Sequence, residues 1–337
     1  MSEPATPGVR VRLGPLAWLV VVCLLAPAMA VTVLRILQPT WLPAIKAVSF
    51  APYALLPYLV VAVALLVRWA LRRDRPGLAF TVACVLALAG LVVHVWWIAP
   101  QFTGSAPPPG AGAPLRVMNL NLLKGNADAV ALTAATASLR VDVLVVEEVT
   151  GPELAALRVA GLDAQLPHRA GSPATGVTGT MVFSRYPLRV VGTLPTRFGS
   201  VVVDVGAPAG PVRVVAIHAY PPVDAHAWDH DLRLIAHRVA ADAKTDLVVG
   251  DFNATPDNVQ LRRFGDAGLR SAAEITDGGW QPTWPDNGNQ RFLGVGLPRL
   301  VQIDHVLVAA SMTAISTRLV HVPGTDHAGV VAEVAFR

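Results

Sequence analysis

The pattern of hydrophobic positions divides the chain into two parts. Residues 13–34, 47–67 and 77–99 form three long apolar stretches with almost no polar face. Each stretch reaches the roughly 20 apolar residues that are needed to cross ~30 Å of hydrocarbon. Tryptophans lie near the stretch ends, as interfacial aromatic residues do. We therefore predict three transmembrane helices; buried core helices are the alternative interpretation, which three such stretches in succession disfavour.

After the third stretch the pattern changes to short apolar runs that alternate with helical periods. The runs rich in valine and isoleucine predict strands at residues 115–120, 143–146, 180–183, 201–205, 212–217, 247–249, 303–308 and 330–334. Helical periods occupy residues 127–139, 226–241 and 258–267. Buried strands interleaved with helices indicate an α/β or α+β domain that packs in layers.

A segment rich in proline, glycine and alanine separates the two parts. Residues 100–114 spell PQFTGSAPPPGAGAP, which is typical of a linker that is partly semi-rigid and partly flexible. The predicted organisation is thus a transmembrane region at 1–99, a linker at 100–114 and a layered domain at 115–337.

Basic residues predict the orientation in the membrane. Six arginines precede the first stretch or lie between the second and third: Arg10, Arg12, Arg68, Arg72, Arg73 and Arg75. Only Arg35 and Lys46 lie between the first stretch and the second. The positive-inside rule then places the N-terminus in the cytoplasm and residues 100–337 outside a multi-pass cell-membrane anchor. Residues 28–30 also resemble a signal-peptidase site, but cleavage after Ala30 would leave the domain on the same side.

Composition and charge narrow the function classes. With 53% hydrophobic and 15% charged residues the chain is neither disordered nor typical of a soluble protein. The pI near 9.4 comes from residues 1–113, which carry a net charge of +6, while residues 114–337 carry −2. The domain therefore lacks the basic excess of a phosphate-backbone binder. Cys23 and Cys84 lie in the apolar stretches, which excludes disulfides and thiolate sites from the domain.

Polar residues follow the predicted strands at the ends where α/β sheets commonly place ligands. They are Asn121, Glu148, His218, Asp251, Asn253, Asp304, Asp326 and His327. One or two carboxylates are how proteins normally hold Mg²⁺, and such an ion can polarise a phosphoryl oxygen. Asparagine amides can orient phosphate oxygens, and an Asp–His pair can orient an imidazole for proton transfer. The mixture predicts metal-assisted hydrolysis with Mg²⁺, or Mn²⁺ in its place.

The order of motifs resembles the endonuclease/exonuclease/phosphatase superfamily. The motifs are NxNLL, DVLVVEE, SRYPL, a strand ending in His, GDFNATP, QIDHVL and GTDH, and they extend over residues 115–337. The resemblance implies a DNase I-like four-layer α/β sandwich, similar to DNase I, apurinic endonucleases, sphingomyelinases and inositol-phosphate 5-phosphatases. It also implies an enzyme that hydrolyses phosphoester bonds.

The resemblance further implies residue roles around a metal and a phosphate. Glu148 matches the family's metal-binding Glu, and Asn121 matches an Asn that helps to place metal and phosphate. Asp326 would complete the metal environment, and Asn253 would contact the phosphate.

Four other positions match the family's catalytic residues. His218 corresponds to a His that donates to a phosphate oxygen or to the leaving group. Asp251 would activate or orient the attacking water, and Asp304 would orient the terminal His327. Acid and base labels are assigned differently within the superfamily, so those of Asp251 and His327 stay interchangeable here.

Some positions depart from the family pattern. Glu147 occupies a place often held by Gln; it is either a second metal contact or, because strand alternation turns it away from Glu148, a structural residue. His305 takes a place often held by Tyr and is expected to support Asp304. Three helix histidines at positions 226, 230 and 237 have a zinc-compatible spacing, although a solvated helix face is the favoured interpretation.

Substrate-side residues are the least determined by the sequence. Arg169 and Arg185 are candidate substrate ligands. Residues 276–302, with Trp280, Trp284 and Arg291, could form a rim or lid, and packing or surface roles stay open for all of them.

Together these observations favour a membrane-anchored, metal-dependent phosphoesterase acting on a phosphorylated lipid or its head group. The layout resembles bacterial membrane-bound members associated with teicoplanin-type resistance, which would implicate an isoprenoid phosphate or a cell-wall lipid precursor. The alternative is an extracytoplasmic nuclease, which the charge of the domain disfavours. A catalytically inactive binding module is a third hypothesis, weakened because every expected position is filled. The expected partners are the lipid bilayer and a phosphoester substrate, and no feature points to an obligate protein partner.

Overall fold

The chain forms two compact units in the computed structural model, which describes residues 10–11, 13–72, 75–288 and 290–337. The first unit holds residues up to Pro39 together with Lys46–Ala99, and the second holds Thr40–Ile45 together with Pro100–Arg337. Arg12 and Arg73, two of the residues used to predict orientation, lie outside the described residues.

The first unit is helical. Its elements, with the short helix that crosses the unit boundary, are β1 (Arg10–Val11), α1 (Pro15–Leu37), α2 (Leu42–Val48), α3 (Leu55–Arg72), β2 (Arg75–Pro76) and α4 (Leu78–Ile98). Within the described residues, three helical segments are long and apolar enough to cross a membrane: Pro15–Leu37, Ala51–Leu71 and Leu78–Gln101. The prediction of three apolar helices is confirmed, with ends displaced by a few residues.

A small polar network joins these three helices. Nε2 of His94 lies 2.9 Å from Oγ1 of Thr32, which lies 2.8 Å from the hydroxyl oxygen of Tyr58. His94 is buried among the helices and contacts its neighbours through hydrogen bonds. A hydrogen-bonded contact of this kind satisfies polar groups that hydrocarbon would leave unpaired.

The second unit alternates strands and helices along the chain. Its helices are α5 (Ala129–Ser138), α6 (Gly151–Val159), α7 (Leu162–Gln165), α8 (Ala225–Ala241), α9 (Val259–Asp266) and α10 (Ala272–Ile275). Its strands are β3 (Leu115–Asn121), β4 (Val143–Glu147), β5 (His168–Ser172), β6 (Thr180–Ser184), β7 (Leu188–Gly192), β8 (Ser200–Ala207), β9 (Gly210–His218), β10 (Thr245–Asp251), β11 (Arg270–Ser271), β12 (Arg291–Phe292), β13 (Val295–Gly296), β14 (Asp304–Val308), β15 (Met312–Val320) and β16 (Gly329–Phe336).

Side-chain caps fix the starts of the main helices. Asp128 accepts hydrogen bonds from the N–H groups of Val130 and Ala131, and Asp224 does the same at the start of α8. The hydroxyl of Thr150 accepts one from Glu153 at the start of α6. These caps satisfy N–H groups that the first helical turn leaves without partners.

Two mixed six-stranded sheets form the centre of the unit. Their strand orders are β15-β16-β3-β4-β6-β5 and β11-β14-β10-β9-β8-β7. In each sheet one central pair is parallel, β3 with β4 and β9 with β10. A helix layer covers the outer face of each sheet, α5–α7 on the first and α8–α9 on the second. The expected DNase I-like four-layer sandwich is confirmed.

Strand alternation divides the hydrophobic residues between three packed layers. Along β3, Leu115 and Val117 face the layer between the sheets, whereas Met118 and Leu120 face α5–α7. The same alternation applies to β4, β9 and β10, so their residues are apolar on both faces. This double burial explains why these strands are continuous apolar runs in the sequence.

The linker lies against the second unit. Gln101 accepts a hydrogen bond from the N–H of Gly279 at 2.9 Å, and the N–H of Gly110 donates to Phe336 at 2.7 Å. A Cβ at Gly104 would lie 1.8 Å from the carbonyl oxygen of Glu274, so this close approach requires glycine. Residues 100–114 therefore pack against the domain along part of their length.

Glu153 makes the stability of the second unit depend on pH. Burial, and then the charge of Asp128, raise the pKa of Glu153 from 4.5 to about 7. Because the folded state keeps a proton that the unfolded chain releases, folding weakens as the pH rises from 4.5 through about 7. We expect Glu153→Gln to raise the free energy of unfolding by roughly 2–3 kcal/mol near pH 8 and to leave it unchanged near pH 4.

Denaturant unfolding of the full chain in micelles, followed by tryptophan fluorescence, measures this effect. Asp266→Asn, which neutralises an exposed acid on α9, is the control and should change nothing at either pH. An equal gain for Glu153→Gln at both pH values would contradict the assignment.

Candidate functional site

The candidate site is the polar end of the layer between the two sheets. The inward positions of β4, β9 and β10 are hydrophobic until the last one, which is Glu147, His218 and Asp251 respectively. β14 runs antiparallel to β10 and contributes Asp304 opposite Asp251, while Asn119 and Asn121 end β3. All these side chains are buried. The two-residue period that builds the core thus also collects the polar residues.

His327 and Asp304 form the central pair of the site. Nδ1 of His327 donates a hydrogen bond to Oδ2 of Asp304 at 2.9 Å, and the amide of Asn119 donates to Oδ1 of the same carboxylate at 3.2 Å. The N–H groups of Ile303 and Asp304 donate to the hydroxyl of Thr283 at 3.1 and 3.2 Å, which fixes the backbone there. Asp304 therefore orients the imidazole, as the sequence analysis expects.

The surrounding carboxylates keep His327 protonated. Burial by itself lowers the pKa of His327, but the charge and hydrogen bond of Asp304, and then the charges of Asp251 and Asp326, raise it to about 10. Its Nε2–H faces Oδ2 of Asp251 and Oδ1 of Asp326, each 3.9 Å away. The site thus presents a fixed positive charge and a proton at Nε2.

Asp251 is held by the turn that follows β10. Its Oδ1 accepts the N–H of Asn253 at 2.8 Å, and its Oδ2 accepts the amide of Asn121 at 3.1 Å. Burial and the charge of Asp304 raise the pKa of Asp251. A raised pKa makes a carboxylate a better proton acceptor near neutral pH.

Two backbone positions allow this turn. Gly250 has φ +151°, and a Cβ there would lie 1.9 Å from the carbonyl oxygen of Ile217. Asn253 has φ +49°, a region that Asn tolerates, and its amide donates to the carbonyl of Ala219 at 3.1 Å. The GDFN sequence thus meets a conformational need as well as supplying polar side chains.

Glu148 reaches the site because the strand ends before it. β4 stops at Glu147, and Glu148 has φ +56°, which breaks the alternation. Its carboxylate accepts hydrogen bonds from the N–H of Lys124 at 2.8 Å and from the amide of Asn121 at 3.3 Å. Burial raises its pKa, and these two hydrogen bonds oppose the rise.

Glu147 also lies at the site, which corrects the argument that alternation turns it away. It is the last inward residue of β4 and is completely buried, and its carboxyl oxygens have no hydrogen-bond partner. Burial, and then the charges of Asp304 and Asp251, raise its pKa well above the usual value. Glu147 therefore forms the floor of the site.

His218 faces the same carboxylates from β9. Its Nδ1 donates to the carbonyl of Val177 at 3.1 Å, and its Nε2 lies 3.6 Å from Oδ2 of Asp251 and 4.0 Å from Oε1 of Glu148. Burial and the charge of His327 lower the pKa of His218 to about 3. Nε2 of His218 thus faces the site, and the donor role that the family resemblance implies for it stays a prediction.

Asp326 is positioned by the loop that contains Trp284. The indole N–H of Trp284 donates to Oδ2 of Asp326 at 3.0 Å, and Asp286 donates its backbone N–H to the carbonyl of Asp326 at 2.8 Å. Oδ1 of Asp326 is buried without a hydrogen-bond partner and faces His327. An unpaired buried carboxylate oxygen is costly unless a cation or a ligand satisfies it.

The donor set fits a hard divalent cation. Within the described residues, carboxylate oxygens of Asp251 and Asp304 and a ring nitrogen of His327 all lie within 4.8 Å of one another. Because the ring of His327 is protonated at both nitrogens, the donors in this group are the two carboxylates. The carboxylates of Glu148 and Asp326 add oxygen donors beside them, and the site has more carboxyl groups than its single imidazolium can balance. Oxygen-rich donor sets without thiolate suit Mg²⁺ or Mn²⁺.

Arg169 and Arg185 are not brought to the site. Arg185 donates to Asp142 at 2.9 Å, beside the end of β4 opposite to Glu147. Arg169 lies 3.5 Å from Asp163 in an exposed ion pair on β5. Their predicted role as substrate ligands is corrected, because strand direction places both away from the polar end.

The remaining histidines have structural or surface positions. Nε2 of His305 lies 2.9 Å from the carbonyl of Ala254, so His305 fixes the turn after GDFN and does not hydrogen-bond Asp304. This corrects the expectation that it supports Asp304 directly. His226, His230 and His237 are exposed on α8 and are not part of a metal-competent group among the described residues.

Sequence reasoning missed several supporting residues. Asn119 precedes Asn121 by two positions, and this spacing already indicated a shared face. Thr325 donates to the carbonyl of Asn121 at 2.6 Å and accepts the N–H of His327 at 3.2 Å, which ties the GTDH loop to β3. Thr283 acts from a distant segment, so no local signal identifies its partner; the neighbouring Trp284 is expected in a rim, but its partner Asp326 is not predicted.

Comparison with known proteins agrees with this geometry. The family model described as Endonuclease/Exonuclease/phosphatase family matches residues 118–327. No curated protein sequence matches the chain significantly.

Solved structures share the fold. An endonuclease/exonuclease/phosphatase family protein from Bacteroides thetaiotaomicron has a TM-score of 0.51 at 14% identity, covering 68% of this chain and all of its own. One from Beutenbergia cavernae has a TM-score of 0.51 at 21% identity, covering 67% and 72%. D. rerio TDP2 complexed with single strand DNA product has a TM-score of 0.53 at 15% identity, covering 66% and 99%.

Asp304→Asn tests the central pair. The change removes the charge that holds the His327 proton, so we expect kcat for a chromogenic phosphodiester to fall about 10²–10⁴-fold. The alkaline limb of the pH–rate profile should also move from about pH 10 toward about pH 6.5.

Asp246→Asn is the matched control, because it makes the same change at the opposite end of β10, where the carboxylate of Asp246 accepts hydrogen bonds from the backbone N–H of Arg213 and the hydroxyl of Ser311. It should leave the rate and the profile unchanged. An Asp304→Asn profile with an unmoved alkaline limb would refute the assigned pairing.

Proposed function

The chain belongs to the endonuclease/exonuclease/phosphatase family, and we propose on that basis that it is a membrane-anchored, divalent-metal-dependent phosphoesterase of the cell envelope. Its substrate is a phosphate ester or diphosphate of a lipid or envelope precursor, hydrolysed at the outer face of the membrane. The observation that carries the proposal is the buried Asp304–His327 pair beside Asp251, Glu148 and Asp326.

We assign complementary roles to Asp251 and His327. Asp251 has a raised pKa and accepts the proton of the attacking water. The imidazolium of His327 directs Nε2–H into the site and stabilises negative charge on the phosphoryl group. The bond from the water oxygen to phosphorus forms as the bond from phosphorus to the leaving-group oxygen breaks; that oxygen takes up a proton from solvent, and Asp251 then releases to solvent the proton it accepted from the water.

Three groups would hold Mg²⁺, with Mn²⁺ as a substitute: the carboxylates of Glu148 and Asp326 and the side-chain carbonyl oxygen of Asn121. When bound, the ion polarises a phosphoryl oxygen and offsets its developing charge. Asn121 already contacts both Glu148 and Asp251, so its amide links the metal ligands to the proton acceptor. Asn253 lies beside Asp251 as a phosphate contact.

The membrane part supports a lipid-linked substrate. Three helical segments among the described residues can span a bilayer, and arginines between the second and third favour a cytoplasmic position for that link. Residues 100–337 are then outside. The net charge of −2 over residues 114–337 counts against a nuclease, since duplex binding relies on basic residues.

Activity assays of the full chain in proteoliposomes test the proposed substrate class. We expect Mg²⁺-dependent release of phosphate from an embedded isoprenyl diphosphate, abolished by chelation and reduced about 10³-fold by Glu148→Gln or His327→Ala. Plasmid nicking is measured in parallel at low salt. Nicking without phosphate release would replace the proposal with a surface nuclease, and binding without any turnover would replace it with an inactive binding module.

Cysteine labelling of intact cells tests the proposed orientation. In a chain with Cys23→Ala and Cys84→Ala, the exposed Val159→Cys should react with a membrane-impermeant maleimide. Arg75→Cys, in the link between the second and third helices, is the matched site and should react only after lysis. The reverse pattern would place the domain in the cytoplasm.

A further inference from the structure

A sixteen-residue excursion projects from the sheet beside the candidate site. Its base is closed by backbone hydrogen bonds between Trp284 and Val301, at 2.9 and 3.0 Å. The outer part is the hairpin β12–β13, in which Arg291 pairs with Gly296 and Phe292 with Val295. We call residues 291–296 the apolar hairpin.

Large hydrophobic side chains form the tip of the apolar hairpin. Phe292, Leu293 and Val295 are 67%, 88% and 70% exposed. Apart from the adjacent Val190 and Val191, the other exposed large apolar residues described between β3 and β16 are scattered, whereas these three lie within four positions. Scattered exposed hydrophobic residues are normal, but a cluster marks an interaction surface.

The backbone of the tip would favour polar residues. Leu293 and Gly294 have φ +51° and +82°, the combination of a type I′ turn. Such a turn selects Asn, Asp or Gly at its first position, and a bulky residue with positive φ is unfavourable. An apolar residue is therefore present at a position of the hairpin where local conformation opposes it, which indicates a use for its side chain.

The excursion is attached directly to a predicted metal ligand. Arg299 and His321 both bind the carboxylate of Asp286 near the base. The N–H of Asp286 donates to the carbonyl of Asp326, and the indole of Trp284 donates to its side chain. The base of the excursion is therefore fixed beside the candidate site.

The chain that leaves the third apolar helix is soon hydrogen-bonded to the segment that precedes the excursion. α4 ends at Ile98, and three residues later Gln101 is hydrogen-bonded to Gly279, five residues before Trp284. Three residues span at most about 11 Å. The segment that leads to the apolar hairpin thus lies close to the point where residues 100–337 begin.

We propose that the apolar hairpin is a membrane-contact element that inserts Phe292, Leu293 and Val295 into the bilayer holding the chain's own helices. The exposed Arg291 at its edge suits lipid phosphate groups. A stable protein interface buries roughly 800 Å² on each partner, far more surface than three side chains can supply. A protein occupant therefore fits poorly. The inference concerns binding to lipid and goes beyond the proposed catalytic function.

Depth-dependent quenching in nanodiscs tests the insertion with the full chain. Leu293→Cys, in the background Cys23→Ala and Cys84→Ala, is labelled with an environment-sensitive fluorophore, and phospholipids carry a nitroxide near the head group. We expect blue-shifted emission and quenching several-fold stronger than at Val159→Cys or Val190→Cys, two exposed control sites. Quenching at Leu293→Cys no stronger than at both controls would overturn the proposal.

A second variant separates insertion from misfolding. Leu293→Asn creates the favoured Asn-Gly turn, so the hairpin is retained while the apolar tip is reduced. With a label at Val295→Cys, Leu293→Asn should weaken quenching; unchanged quenching, or emission that responds only to a second copy of the chain in the disc, would refute lipid contact. Because fluorescence reports insertion without turnover, an inactive enzyme would overturn the proposed function and leave this result intact.

Discussion

Between the two sheets, the imidazolium of His327 lies among carboxylates in a layer that is otherwise hydrophobic. Burial opposes its charge, and Asp304, Asp251 and Asp326 more than compensate for that opposition. Breaking such a buried pair leaves an uncompensated charge, which is far more costly than losing an exposed ion pair. Asn119 on β3 and the loops that carry Thr283 and Thr325 are arranged around this pair, because each of the three residues satisfies one of its remaining polar groups.

The site lies at the end of the hydrophobic layer between the two sheets. Valine-rich inward positions on both sheets exclude water up to the last residue of each strand, and the last residues are polar. Low dielectric then strengthens every interaction among them. The same exclusion raises the pKa of Glu147, Glu148 and Asp251, because a carboxylate without water depends on hydrogen bonds and cations for its charge. An excess of carboxyl groups in a layer that excludes water is thus the physical reason for a cation at this site.

Membrane attachment and catalysis are linked through the chain itself. The packed linker leaves little free length between the third apolar helix and the domain, since Gln101 is already fixed to Gly279. The excursion that begins at Trp284 supports Asp326 and carries the apolar hairpin at its far end. The excursion that positions Asp326 therefore also carries three exposed large hydrophobic residues at its tip.

The sequence by itself determined the three apolar helices, the doubly buried strands such as β4 and β10, and the family, because burial on both faces and motif order are local properties. Edge strands β5 and β7 escaped prediction, since one face of each meets solvent and mixes polar with apolar residues. Tertiary structure alone decided that Glu148 leaves the strand, that Glu147 forms the floor, and that Arg185 lies at the wrong end. These outcomes depend on strand direction, register and packing between residues far apart in sequence, which no local pattern encodes.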